Sequence, residues 1–220
     1  MRVPEVRPYW EALWEKRGQL VAKRCFDVTG SVALIALLGL PMIAIAACIK
    51  LDSPGSVLYR QERVTTYGKR FRIHKFRTMI SNADKIGSAV TVDNDTRITK
   101  VGSKLRRLRL DEFPQLFDVL VGNMSFVGTR PEAVKYVEKY ECEYYATLLL
   151  PAGITSEASI RFKDEDKLLK AAENVDRAYV EQILPQKMKW NLKSIKEFSF
   201  PAEMATMLRT VAAVLGKEYR

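Results

Sequence analysis

Residues 28–49 read VTGSVALIALLGLPMIAIAACI, 22 consecutive positions without a charge, bounded by Lys23 and Arg24 on one side and Lys50 on the other. At about 1.5 Å per residue, a helix of this length covers roughly the 30 Å hydrocarbon core of a bilayer, so a simple transmembrane span is the first reading. Two features oppose it. Pro41, in Gly39-Leu40-Pro41, falls near the middle, where a missing N–H and a clashing ring cost about 3 kcal/mol in an ordinary helix interior. Both flanks are also basic, with Arg60, Arg63, Lys69, Arg70 and Arg72 following Lys50, and an excess of Lys and Arg holds a flank in the cytoplasm. A helix broken at Pro41 that enters one leaflet and returns satisfies both observations, so a re-entrant segment over residues 25–50 is expected. Ile45-Ala46-Ala47-Cys48 has the form of a lipoprotein processing site, but the long preceding region contains Glu5, Glu11, Glu15 and Asp27, and cleavage is not expected.

Working outward, residues 1–24 place Trp10, Leu13, Trp14, Leu20 and Val21 at helical spacing among Arg7, Lys16, Arg17, Lys23 and Arg24. Two readings fit: an amphipathic helix lying in the membrane interface, and a surface helix packed on the folded domain. Residues 51–220 make the remaining unit. Ser56 to Glu62 and Lys69 to Arg77, joined through Thr65-Thr66-Tyr67-Gly68, read as a β-hairpin. Residues 80–98 read as a polar connection and Thr99 to Arg109 as a basic helix. Met124 to Glu132 reads as a glycine- and proline-bearing loop, followed by a helix from Glu132 to Leu150 that Pro151-Ala152-Gly153 ends. Ser199-Phe200-Pro201 opens a last amphipathic helix, with Met204, Met207, Leu208, Val211 and Leu215 inward and Gly216 as its stop.

The chain of 220 residues is large enough for a proper core, and its 47% apolar and 28% charged residues are those of a folded protein. A net charge of +10 calls for an acidic partner. Cys25, Cys48 and Cys142 form neither a disulfide framework nor a C-x-x-C pattern, and one histidine, His74, makes a zinc cluster a poor fit. Any metal is better sought among oxygen ligands, with Mg²⁺ the natural choice.

The chemistry-bearing stretch is Lys104 to Leu116, where Asp111-Glu112 follows Arg106, Arg107 and Arg109 and precedes Pro114. Proline is tolerated in a helix's first turn, so a helix starting at the acid pair is expected, with Asp111 near its cap and Leu116, Phe117, Leu120 and Val121 in its buried stripe. Capping alone accounts for such a pair. The sharper reading joins it to Lys75-Phe76-Arg77, Asp95-Thr96-Arg97, Arg106 and Arg130. Carboxylates among cations suit phosphoryl transfer, because the cations neutralise phosphate while an anionic nucleophile approaches. Arg130 is the strongest cation, since Gly128-Thr129-Arg130-Pro131 stiffens its backbone and guanidinium binds phosphate bidentately. His74, on a strand, reads as structural. Neither common nucleotide-binding glycine loop is present.

Seven motifs occur in order: Lys23-Arg24-Cys25-Phe26-Asp27, the apolar run with Pro41, Tyr59 to Val64, Lys75 to Met79, Arg97 to Gly102, Leu110 to Leu116, and Met124 to Pro131. Together they resemble the small monotopic phosphoglycosyl transferases of the bacterial sugar transferase family, over roughly residues 22–215. The resemblance implies transfer of a sugar 1-phosphate from a UDP-sugar donor to undecaprenyl phosphate, releasing UMP, at the cytoplasmic face of the bacterial inner membrane. This is the first membrane step of glycoconjugate assembly. It further implies Mg²⁺, a re-entrant anchor broken at Pro41, and a two-step mechanism. In that mechanism Asp111 is nucleophile and metal ligand, Glu112 its partner, and Lys75, Arg77, Arg97, Arg106 and Arg130 bind substrate phosphate. Membrane lipid is an expected partner and nucleic acid is not.

The resemblance has departures. Thr129 stands where the family's loop more often has proline, and Ala152-Gly153-Ile154-Thr155-Ser156 replaces a Pro-Gly-Ile-Thr-Gly segment. Arg161 to Asp166 is unusually charged. These leave the donor sugar open. The expected fold is α+β, mostly helical with a small hairpin. The rival reading is a non-catalytic, membrane-tethered basic module that binds acidic lipid or nucleic acid, for which the acid pair would be dispensable.

Overall fold

The computed structural model describes residues 3–83, 95–162, 165 and 174–214. It is an α+β arrangement in which helices surround two small sheets. Helix α1 (Arg7–Glu15) is followed by the long α2 (Arg17–Asp52), the hairpin strands β1 (Leu58–Val64) and β2 (Arg70–Phe76), and α3 (Lys100–Arg107). Then come α4 (Gln115–Leu120), β3 (Met124–Val127), α5 (Val134–Val137), β4 (Ala152–Thr155) and α6 (Glu157–Arg161). The last elements are α7 (Val175–Ala178), a π-helical turn Tyr179–Ile183, α8 (Leu184–Lys196) and α9 (Phe200–Val214).

The hairpin is antiparallel with Leu58 opposite Phe76 and Val64 opposite Arg70. Its connection uses Tyr67 and Gly68 at φ 56° and 80°, a left-handed pair that reverses the chain. Phe71 and Ile73 point into one core with Leu116, Val119, Met124 and Phe126, while Phe76 enters another with Met42, Ile49 and Leu105. Strand β3, expected as loop, pairs in parallel with β4, Met124 opposite Ala152 and Val127 opposite Thr155. A Cβ on Gly153, inside β4, would meet the amide nitrogen of Gly128, the residue after β3, at 2.2 Å, so only glycines let the two backbones come this close.

The N-terminal division differs from the expected one. The chain breaks at Lys16, not near residue 24, and α2 runs as one helix through Pro41 instead of dividing there. Proline removes a single i→i−4 bond, and the long apolar turns on both sides keep the element continuous. Helix α1 and the residue before it bury Val6, Tyr9 and Leu13 against Leu192, Ile195 and Phe198 around α8, and leave the stacked Trp10 and Trp14 outside. The packed-surface-helix reading describes the buried face, and the two tryptophans lie on the exposed one.

Helix α2 is tied to the domain at both ends. Asp27, buried, accepts hydrogen bonds from Ser125 Oγ at 3.0 Å and the Phe126 amide at 3.1 Å. Lys23 Nζ donates to the Val127 carbonyl at 2.7 Å and to Glu203 at 2.6 Å. At the far end, Asp52 accepts from the Val101 amide at 3.1 Å. Between these ties Leu34, Ile35 and Leu38 pack on one core and Met42, Ile45 and Ile49 on the next. The opposite side leaves Leu37, Leu40 and Ile43 exposed.

The segment after β3 is not one helix from Glu132 to Leu150. It is the short α5, a 3₁₀ stretch over Cys142–Leu148, and then β4, because Tyr136, Tyr140 and Leu148 turn inward against Tyr179, Leu184 and Met188. Helix α9 also departs from expectation. Met207 packs on a core as expected and Thr206 is buried, while Leu208 and Val211 face outward. Its expected end at Leu215 and Gly216, and the middle of the 80–98 connection, lie outside the described residues.

Candidate active site

Asp111 and Glu112 lie in a 3₁₀ turn, Leu110–Glu112, that the chain enters through Arg109 in the left-handed region at φ 56°. This corrects the expected helix start. The α-helix begins at Gln115, Pro114 is the residue before it, and Asp111 makes no capping hydrogen bond to it. The buried stripe of α4 is Leu116 and Val119, whereas Phe117 and Val121 are exposed. A left-handed residue followed by a tight turn presents two consecutive carboxylates in different surroundings, which a regular helix cap would not.

Glu112 is the anchored member. Its Oε1 accepts from Lys75 Nζ at 2.7 Å and Arg130 Nη2 at 3.2 Å, bringing β2 and the loop after β3 onto the turn. Its side chain is 14% exposed, that of Lys75 22%, and that of Arg130 38%, so Arg130 is the member most open to a ligand. Burial alone would raise the Glu112 pKa, but Lys75 and Arg130 outweigh it and hold the carboxyl well below the glutamate range. The Arg130 guanidinium is held cationic by Glu112. Lys75 is pulled down by burial, with Glu112 opposing.

Asp111 is the poised member. Among the described residues it forms no ion pair, and burial, reinforced by the neighbouring Glu112 charge, pushes its pKa up against the pull of Lys75 and Arg106. Two adjacent carboxylates driven in opposite directions are what differing roles require. Arg106 also lowers Asp95, so it lies electrostatically between the acid pair and the Asp95–Arg97 pair.

The remaining predicted cations are placed elsewhere. Arg77 is buried, and its guanidinium donates to the Ser53 carbonyl at 2.7 Å, Ser53 Oγ at 2.9 Å and the Pro54 carbonyl at 2.8 Å. These acceptors directly follow α2, and Nη2 also reaches the Ile49 carbonyl in its last turn at 3.4 Å, so Arg77 fastens the chain at that end and is structural here. Arg97 grips Asp95 through Nε at 2.9 Å and Nη2 at 2.6 Å and also donates to the Ala83 carbonyl. This pairing holds Asp95 down to about 2. His74 is structural as expected: its backbone amide and its Nδ1 each bond the buried Asp118 carboxylate at 2.9 Å.

Sequence reasoning missed the layer behind Arg130. Glu132, Tyr179 and Lys187 are all buried, and Arg63, also largely enclosed, is influenced by Glu132 and Arg130. Leu184, Met188, Leu192 and Ile195 repeat at helical spacing behind Pro185, a signal from which α8 and the burial of Lys187 on it are derivable.

A Mg²⁺ ion bound through one or two carboxylates plus substrate phosphates matches this donor set. Asp111 is available, Glu112 is held by two cations, and the described residues contain no group of three or more His, Cys, Asp or Glu able to cage a metal without substrate.

The profile of the bacterial sugar transferase family matches residues 18–217. The chain is 44% identical over 134 residues to a putative undecaprenyl-phosphate N-acetylgalactosaminyl 1-phosphate transferase of Bacillus subtilis, covering 60% of this chain and 74% of that one. It is 40% identical over 141 residues to the UDP-N-acetylgalactosamine-undecaprenyl-phosphate N-acetylgalactosaminephosphotransferase of Aeromonas hydrophila, covering 63% and 33%. With the UDP-glucose:undecaprenyl-phosphate glucose-1-phosphate transferase of Escherichia coli it shares 34% over 194 residues, covering 86% and 39%. The chain thus spans about a third of the Aeromonas protein and two fifths of the Escherichia one.

Proposed function

The chain belongs to the bacterial sugar transferase family, and from that premise we propose that it transfers a sugar 1-phosphate from a UDP-sugar to undecaprenyl phosphate, releasing UMP. The observation that carries the reading is the asymmetry of the acid pair, with Glu112 clamped by Lys75 and Arg130 while Asp111, near them, forms no ion pair among the described residues.

In the first step an Asp111 carboxylate oxygen attacks the sugar-bearing phosphorus of the donor. The bond to the bridging oxygen breaks, and its electrons leave with UMP. In the second step a phosphate oxygen of the lipid acceptor attacks the same phosphorus. The aspartyl bond breaks, Asp111 is restored, and a sugar diphospho-lipid departs. Glu112 keeps Lys75 and Arg130 in place for the diphosphate, and Arg130 and Arg106 offset its charge. Mg²⁺ held by Asp111 and the diphosphate would lower the repulsion between carboxylate and phosphate.

The membrane setting is part of the proposal. Helix α2 is long and apolar enough to cross a bilayer, yet Asp27 and Asp52, near its two ends, both bond the same domain. A helix held this way, with Leu37, Leu40 and Ile43 exposed around Pro41, supports insertion into one leaflet with the catalytic domain on the cytoplasmic face.

The test is incubation of the full chain with a panel of radiolabelled UDP-sugars, undecaprenyl phosphate and Mg²⁺, alongside Asp111→Asn. The native chain is expected to release UMP with at least one donor and, without acceptor, to retain a labelled phosphosugar. Asp111→Asn should lose both, with turnover down about 10³-fold or more. UMP release undiminished by the substitution would defeat the nucleophile assignment. No release from any donor would favour the basic-module reading, and turnover without a trapped phosphosugar would favour a single displacement with Asp111 as base.

A further inference from the structure

Behind Arg130 lies a buried polar cluster that the chemistry above does not use. Tyr179 OH donates to Glu132 Oε1 at 2.5 Å. Lys187 Nζ donates to Glu165 Oε2 at 2.9 Å and to Tyr179 OH at 3.2 Å, and lies 3.8 Å from Glu132 Oε1. Glu132, Tyr179 and Lys187 are 8%, 6% and 4% exposed. The backbone at this point is pinned as well: the Val64 amide donates to the Glu132 carbonyl at 3.1 Å, and Arg63 Nη1 to the Pro131 carbonyl at 3.4 Å.

Removing the Glu132 and Lys187 charges from water costs several kcal/mol per ion, and apolar side chains of similar volume would often serve stability as well. What such a cluster supplies that apolar packing does not is a fixed geometry. Only Pro131, whose φ is locked by its ring, separates Glu132 from Arg130. Fixing the Glu132 side chain and the two carbonyls therefore fixes where the Arg130 side chain leaves the backbone.

We propose that Glu132, Tyr179 and Lys187 are positioning residues that hold Arg130 in the orientation for a donor diphosphate, so that helix α8 acts on the site through the loop. The inference rests on the donor reading given above. It assigns Lys187 of α8 and Tyr179 of the turn before it a part in substrate affinity without any contact to substrate.

The test is a double-mutant cycle read by UDP binding in the presence of Mg²⁺, using calorimetry on the detergent-solubilised full chain. Tyr179→Phe, which keeps the ring and removes one hydroxyl, and Lys187→Met are each expected to weaken UDP binding 5- to 20-fold. In an Arg130→Ala background the same substitutions should change the remaining affinity by less than twofold, because the group they position is gone. Thermal melting of every variant identifies any that fail to fold, and Tyr179→Phe carries the test if Lys187→Met does. Unchanged UDP affinity in folded single variants, or equal weakening in both backgrounds, would overturn the positioning role and leave the donor reading intact. Absence of UDP binding to the native chain would overturn both.

Discussion

Glu112 and Asp111 are neighbours in sequence with opposite electrostatic fates, and the reason is the company each keeps. Glu112 accepts from Lys75 and Arg130, and its folded pKa is depressed below the value it has in an unfolded chain. A depressed carboxyl contributes stability that is present above its unfolded pKa and is lost as pH falls through that value toward the folded one. Replacing it by Gln leaves Lys75 without its counter-charge in a site where that side chain is 22% exposed. After discounting for this partial exposure, Glu112→Gln should cost about 2 kcal/mol at pH 7, or about 4–8 °C in unfolding midpoint for a chain of this size. Thermal melts of both proteins from pH 7 down to pH 3 should show the gap closing below about pH 4.5, where the unfolded glutamate is itself protonated. A gap constant across that range would show that the pairing with Lys75 and Arg130 is not what Glu112 contributes. The pair of acids was legible in the sequence; which of them is clamped was not, because Lys75 and Arg130 arrive from segments 37 and 18 residues away.

At the scale of elements, several basic residues that look like charges for lipid or phosphate instead close helix ends. Arg24 donates to the Val119 and Leu120 carbonyls at 2.7 and 2.8 Å, at the end of α4, and Arg77 donates to the Ile49 carbonyl in the last turn of α2 and to the Ser53 carbonyl just past it. Asp27 is the counterpart on α2, a buried acceptor for β3. Asp27→Ala leaves the Phe126 amide and Ser125 hydroxyl without this partner and should destabilise the protein by about 2–3 kcal/mol, measurable as a lowered midpoint in denaturant. A change under 0.5 kcal/mol would show that α2 is held by its apolar face alone. The crossing of β3 and β4 is tighter still. Gly153→Ala puts a methyl carbon within 2.2–2.6 Å of the Gly128 backbone, neither side of which is a flexible side chain. Its cost should be about 2–3 kcal/mol. Because Gly128 leads directly into Arg130, UDP affinity should fall more than melting alone accounts for; normal affinity in the folded variant would show the loop to be independent of this crossing.

For the whole molecule, the exposed apolar surface runs along α2 through Leu37, Leu40 and Ile43 and reappears on Trp10 and Trp14. If α2 enters and leaves one leaflet, single cysteines placed at the exposed Arg17 and Leu51 in a background without Cys25, Cys48 and Cys142 should both be shielded from an impermeant reagent outside intact cells. Both should label after the membrane is opened, and labelling of either one from outside would rule out the re-entrant arrangement. The apolar run, the hairpin, the acid pair and the ordered motifs that give the family are local patterns, carried by hydropathy and by residue types at short spacing, and the sequence by itself determined them. The tertiary structure alone decided that α2 stays continuous through Pro41 and is tied down at both ends. It also decided that Lys75 and Arg130, and not Arg77 or Arg97, clamp Glu112, and that α8 stands behind Arg130. A cation's role depends on which carbonyl or carboxylate the fold brings within about 3 Å of it, and those partners lie up to a hundred residues and more along the chain, beyond the reach of any local pattern.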